Sequence, residues 1–210
     1  METEARYNVN TCERPGGLTI TGRAVRYCGF PPNSRIIDVG CGSGVTIEFL
    51  RKKYRLDATG TDINNAGKNS HICSSPAEQL PYETAKADGI FMECSFSLFK
   101  DQSAALKECH RTLKSGGRLI VSDMYARGEA AMLTGRLGRI DKQETIENLI
   151  TRHGFHIVLW EDYTHCLQTW WGQLIIDHGM QAFCSNTGCS PDAIKRIKFG
   201  YFLTIAFKAD

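Results

Sequence analysis

Apolar and polar positions along the chain follow two rhythms. Short apolar runs at 36–39, 58–61, 155–160 and 202–207 read as strands. Between them, apolar residues recur at helical spacing. One helix is expected over 18–27, Pro31-Pro32 breaks the chain before the first strand, and another helix carries Ile47, Leu50 and Tyr54 with Phe49 beside them. Asp101 is placed to cap a helix bearing Leu106, Cys109 and Leu113, with Gly116-Gly117 as its stop. Asp141-Lys142-Gln143-Glu144 reads as a capping box before Ile146, Leu149 and Ile150, with Gly154 as the helix end. Leu167, Trp170, Trp171, Leu174 and Ile175 keep an i, i+3, i+4, i+7, i+8 pattern, which predicts core packing for the tryptophans.

Strand and helix alternate, and two late strands flank a helix. This order predicts a doubly wound α/β fold with a mostly parallel sheet. The 210 residues suffice for a single domain. Within it, 1–17 is expected to be a mobile arm, 1–30 an N-terminal arm plus helix, and 163–199 an elaboration on the substrate side. Only fourteen residues separate Asp62 from Ala77, so the second crossover helix or the third strand must be abbreviated.

The most informative segment is Gly40-Cys41-Gly42-Ser43-Gly44, directly after the first strand. A glycine turn opening a helix lets backbone approach a nucleotide-like ligand, because glycine has no Cβ to clash. Asp62 closes the next strand, where a carboxylate can accept from both hydroxyls of a ribose. The dinucleotide fingerprint G-x-G-x-x-G needs glycine where Val45 stands.

The pattern Asp38-x-Gly40-x-Gly42-x-Gly44 resembles motif I of the class I S-adenosylmethionine-dependent methyltransferases. Ala77-Glu78-Gln79-Leu80-Pro81-Tyr82 resembles the Ala-Glu-x-Leu-Pro-Phe segment of the small-molecule branch that includes the quinone C-methylating enzymes. Residues 88–92 and 106–120 resemble that family's fourth strand, following helix, glycine turn and fifth strand, so the likeness spans about 35–125. Glu93-Cys94, residues 122–127, Glu161-Asp162 and the leader Pro15-Gly16-Gly17 resemble a poorly characterised bacterial group of the family.

The resemblance implies a Rossmann-like, seven-stranded, mostly parallel sheet with helices on both faces and a late antiparallel strand. It implies S-adenosyl-L-methionine as cofactor, S-adenosyl-L-homocysteine as product and a small-molecule acceptor. By the same resemblance Gly40, Cys41, Gly42 and Gly44 form the cofactor turn, Asp38 acts near the methionine end, and Asp62, followed by Ile63, binds the ribose. Ala77 offers its amide to adenine, with Glu78 a further contact, and Glu93 and Cys94 border the sulfonium. Relatives often carry Asp or Asn before the Ala-Glu pair. Pro76 stands there, so adenine must be held otherwise. Methyl transfer from a sulfonium is an in-line displacement with a pre-activated donor, so chiefly positioning is required.

Ligands of doubly wound sheets bind beyond the carboxyl ends of the strands. Asp123, Tyr125, Asp162 and His165 fall at such ends and are candidates to position or deprotonate an acceptor. No Asp/Asn-Pro-Pro-Tyr element follows the fourth strand, which argues against methylation of nucleobase or amide nitrogen. A net charge of +2 without a long basic run argues against a nucleic-acid partner. No apolar run approaches a membrane span, and the polar start is unlike a signal peptide, so a cytoplasmic protein is expected, as monomer or homodimer. The nine cysteines form no framework and are expected as reduced thiols. Cys184 and Cys189 alone do not make a metal site, and none is expected. Two rival functions remain: a non-catalytic module that binds the same cofactor, and a nicotinamide-dependent oxidoreductase, which Val45 and residues 77–82 disfavour.

Overall fold

The computed structural model describes residues 14–64, 69–134 and 137–209. In chain order the elements are α1 (Gly17–Cys28), β1 (Arg35–Val39), α2 (Val45–Tyr54), β2 (Asp57–Thr61), β3 (Ile72–Cys73), β4 (Ala87–Glu93), α3 (Gln102–Thr112), β5 (Leu113–Ala126), β6 (Ala131–Met132), β7 (Arg139–Ile140), α4 (Gln143–Arg152), β8 (Phe155–Asp162), α5 (Thr164–His178), α6 (Met180–Thr187), α7 (Pro191–Ile197) and β9 (Phe199–Lys208). Seven strands form one sheet in the order β3-β2-β1-β4-β5-β9-β8, and β6 pairs with β7 in a separate small hairpin. The β1–β2, β1–β4, β2–β3 and β4–β5 pairings are parallel. β9 is inserted antiparallel between β5 and β8. The fold class expected from the sequence is therefore the one observed.

Strand alternation sends successive side chains to opposite faces, and the core divides accordingly. Ile36, Phe91, Ile120, Tyr201 and Leu203 face a layer containing Leu18 and Val25 of α1, Ile47 and Leu50 of α2, and Leu167 and Trp171 of α5. Ile37, Ile90, Met92, Val121 and Phe202 face Leu106 and Cys109 of α3 and Ile146 and Ile150 of α4. The chain grows outward from β1 to β3 and then crosses back to β4. The strand order thus reverses between β1 and β4, the place where such sheets bind ligands.

The third strand is the abbreviated element. β3 has two residues, and no helix or strand occurs from 74 to 86. The expected second crossover helix would fall partly on 65–68, and the expected arm falls largely on 1–13. Both stretches lie outside the described residues. Three local expectations are corrected. α3 stops at Thr112 and not at Gly116-Gly117, because Leu113 turns into the core, pairs with Ala87 and starts β5. Asp141 does not cap α4. Lys142 holds that position with no side-chain cap, and the Asp141 carbonyl instead accepts from the Ala126 amide at 2.8 Å. Three helices, not one, separate the last two strands of the chain. Trp171 packs edge-on against Phe183 and Phe199, as core packing requires. The eight described cysteines are free thiols, and no described helix is long and apolar enough to cross a membrane.

Asp101 does cap α3, accepting from the Ala104 amide at 2.9 Å. Asp101→Ala is expected to cost about 1 kcal/mol. Thermal unfolding followed by circular dichroism should then show a midpoint lower by roughly 2–4 °C.

Candidate active site

The first half of the site is the turn after β1. The amides of Gly40 and Cys41 both donate to the Thr61 carbonyl, at 2.8 and 3.1 Å, and Gly44 N–H donates to the Cys41 carbonyl at 2.9 Å. These bonds clamp the turn onto the end of β2. A Cβ at residue 40 would lie 2.4 Å from the Ser95 Cβ, so only glycine fits there. Gly42 has φ +54° and open space where a Cβ would go. Its amide donates to Asp62 Oδ2 at 2.9 Å, while Asp62 Oδ1 accepts from the Asn64 amide at 2.8 Å. Turn and carboxylate thus face one another across a hydrogen bond. Gly44 precedes α2 without a side-chain cap, leaving the first-turn amides to other acceptors. Cys41 is half-buried, which pushes its thiol up, and Ile63 is exposed.

The second half lies at the ends of β1 and β4, on the α1/α2 face. Glu93 is buried and fully engaged. Arg14 Nη2 donates to its Oε2 at 2.7 Å, Thr46 Oγ1 donates to the same oxygen at 2.9 Å, and Thr21 Oγ1 donates to Oε1 at 2.8 Å. Arg14 also donates to Thr21 at 2.7 Å and to Thr46 at 3.1 Å. One carboxylate therefore joins the leader, α1, α2 and β4. Asp38 shares this face and is 3% exposed. Among the described residues none donates a hydrogen bond to its carboxyl. Burial first, then the charge of Glu93, pushes that carboxyl up to about 8, against the opposing pull of Arg14.

Beside Glu93 the chain bends sharply. Cys94 has φ +54°, a strained value for a residue other than glycine. Its Sγ lies 3.1 Å from the Tyr201 hydroxyl, which in turn lies 3.4 Å from Ser122 Oγ. Ser95 Oγ donates to the Val39 carbonyl at 2.7 Å and fixes this bend against β1. Burial pushes both Cys94 and Tyr201 up, keeping thiol and phenol neutral.

The remaining candidates sit elsewhere. Ala77 is buried toward α3, and Glu78 Oε1 accepts from the Asp101 amide at 3.0 Å. Asp123 and Tyr125 alternate with Ser122 and face the α3/α4 layer, away from Asp38 and Glu93. The Asp123 carboxylate accepts from the Ser97 amide at 2.8 Å, Ser97 Oγ at 3.1 Å and the Met124 amide at 2.7 Å, bracing the 3-10 turn Phe96–Leu98. Burial pushes it up to about 6, opposed by those bonds. Tyr125 donates to Asp162 Oδ2 at 2.6 Å, and Thr164 donates to Asp162 from its amide at 2.7 Å and its hydroxyl at 3.1 Å. Burial pulls Asp162 up, but these bonds outweigh it and hold the group below its usual range. His165 is exposed, its Nε2 3.3 Å from Cys166 Sγ. The structure thus brings together Asp38, the glycine turn, Asp62, Glu93 and Cys94, and engages Asp123, Tyr125 and Asp162 in local structure. Sequence reading missed Arg14, Thr21, Thr46 and Tyr201. A buried acid requires a partner, but a partner 79 residues away leaves no local pattern. A cleft of about 340 Å³ between Arg35, Thr59, Tyr82 and Lys86 lies at the opposite, amino ends of the strands and belongs to neither half.

Arg14→Ala would strand Glu93 as a buried charge, a change worth about 3–5 kcal/mol. Chemical denaturation should register that loss. Adding Glu93→Gln should recover part of it, whereas no recovery would contradict the pairing.

A family model described as "Methyltransferase domain" matches residues 37–121. A ubiquinone/menaquinone biosynthesis C-methyltransferase of Geotalea daltonii is 32% identical over 114 residues, covering 47% of this chain and 48% of the relative. A sarcosine/dimethylglycine N-methyltransferase of Halorhodospira halochloris is 24% identical over 168 residues, covering 68% of this chain and 59% of the relative. The chain thus spans about half the length of these curated relatives. Among solved structures, the [4+2]-cyclase SpnF superposes with TM-score 0.74 at 21% identity, over 91% of this chain and 80% of that one. The phosphoethanolamine N-methyltransferase 2 of Haemonchus contortus, in complex with S-adenosyl-L-methionine, gives 0.73 at 17% identity, over 93% and 54%. These two likenesses speak to fold alone. The matched span, 37–121, includes the glycine turn, Asp62 and Glu93, so the part of the chain that builds this site is similar to the methyltransferase domain family.

Proposed function

We propose that this protein transfers a methyl group from S-adenosyl-L-methionine to a small-molecule acceptor by in-line displacement, releasing S-adenosyl-L-homocysteine. The observation that carries this reading is the Gly42–Asp62 hydrogen bond, with open space over Gly42. A ribose accepted by Asp62 would lie against the glycine turn, and hydrogen bonds to a charged group are worth roughly 1.5–3 kcal/mol each. Gly40, Cys41 and Gly44 would complete the turn around the ligand. Asp38 would take the methionine end, and Ile63, Ala77 and Glu78 would border adenine. Glu93 and Cys94 would stand beside the sulfonium. The helices α5 to α7, inserted between β8 and β9, would form the acceptor side.

Positioning is the main requirement of this chemistry, so a missing free general base does not weigh against it. The engagement of Asp123 and Asp162 in local hydrogen bonds favours, as a second reading, a module that holds the cofactor without turnover. Conversion of bound cofactor to its demethylated product, once acceptors are offered, separates the two.

Calorimetric titration with S-adenosyl-L-methionine, S-adenosyl-L-homocysteine and NADH should give micromolar binding of the first two and none of the third. Binding of NADH alone would refute the reading. Asp62→Ala should weaken cofactor binding tenfold or more, on the order of 1.4 kcal/mol. Gly42→Val should abolish it, since the added side chain fills the open space over the turn. A folded Asp62→Ala protein of unchanged affinity would remove the ribose role.

A further inference from the structure

Two buried carboxylates face the same crevice on neighbouring strands. Asp38 on β1 lies opposite Phe91 of β4, and Glu93 follows two residues later on the same face. Their circumstances differ. Glu93 has a guanidinium and two hydroxyls. Asp38 is as deeply buried and takes no hydrogen bond from any described residue. An ionised carboxylate in that position is expensive unless a cation meets it.

The groups that act on Asp38 come from every side of the crevice. Glu93 from β4 and Asp62 from beyond β2 oppose its ionisation, while Arg14 from the leader favours it. Cys41 in the turn and Tyr82 from the β3–β4 connection also feel its charge. Arg14 is the cation that acts on Asp38, and it is already bonded to Glu93 at 2.7 Å. The crevice therefore holds a second acid whose charge awaits a counter-ion from outside the protein.

We propose that Asp38 carries a proton before the cofactor binds and releases it to solvent when the cofactor arrives, exchanging the proton for the ammonium at the cofactor's methionine end. This rests on the cofactor reading above. In the balance, a neutral carboxyl and an ammonium compound become a carboxylate–ammonium pair plus one solvent proton. The demethylated product carries the same ammonium and displaces the proton in the same way.

The test is calorimetric titration of the whole protein at pH 7 in two buffers of different ionisation enthalpy, phosphate and Tris. The buffer dependence of the heat counts protons. Burial pushes the Asp38 carboxyl up to about 8, so S-adenosyl-L-methionine and S-adenosyl-L-homocysteine should each release most of a proton per site. Asp38→Asn should abolish the release. Binding without proton release, or release that survives in Asp38→Asn, would overturn the proposal. A second readout needs no variant. The cofactor must pair with ionised Asp38, so its apparent Kd should fall close to tenfold per pH unit from 6 and level off above about 8. A Kd independent of pH over that range would also overturn it. Failure of S-adenosyl-L-methionine to bind at all would instead strike the cofactor reading itself.

Discussion

Everything at the carboxyl edge of this sheet answers to one constraint, the burial of negative charge where β1 and β4 end side by side. A carboxylate withdrawn from water must find hydrogen bonds and a counter-ion. Glu93 finds them in Arg14, Thr21 and Thr46, which come from the leader, from α1 and from the first turn of α2. Satisfying one side chain therefore sets where three other segments lie. The glycine turn occupies the same corner. It is clamped to Thr61 by Gly40 and Cys41, and it is kept close to β4 because residue 40 has no Cβ to meet Ser95. Asp38 and Asp62 are thereby held on either side of the turn at fixed positions.

Much of this could be read from the chain because it is local. A strand followed by alternating glycines and a helix is a pattern of adjacent residues, and so is an acid closing the next strand. The sheet order also follows from strand–helix alternation and the handedness of crossovers. The lack of residues between Asp62 and Ala77 also showed that the second crossover helix or the third strand had to be short, without showing which. What failed locally failed for tertiary reasons. Leu113 ended α3 because the core takes its side chain, although helical spacing extended past it. Asp141 had the sequence of a cap, but its carbonyl was drawn to the end of β5.

The candidate acceptor groups show the same limit at the level of function. Sequence places Asp123, Tyr125 and Asp162 at strand ends, but strand parity decides which face they serve. Parity turns them away from Asp38 and Glu93, and Ser97, Met124 and Thr164 take up the carboxylates. Ser122 and Tyr201, unremarkable in sequence, share the face of Asp38 and Glu93 and meet Cys94 there. Arg14 was hidden for another reason. Long-range ion pairs carry no periodicity, and its segment reads as an arm until Glu93 is seen to need it.

The place of β9 has a bearing on how the molecule is assembled. It is the last strand in the chain, yet it lies between β5 and β8, pairing with both over much of its length. β8 therefore leaves the ribosome with no neighbour to join. The ring of Trp160 waits for Phe202, on which it stacks at 4.3 Å. α5, α6 and α7 must be made in the interval. Closure of the sheet is thus deferred until translation has passed residue 208, and over that period an apolar strand stays exposed to other nascent chains and to chaperones.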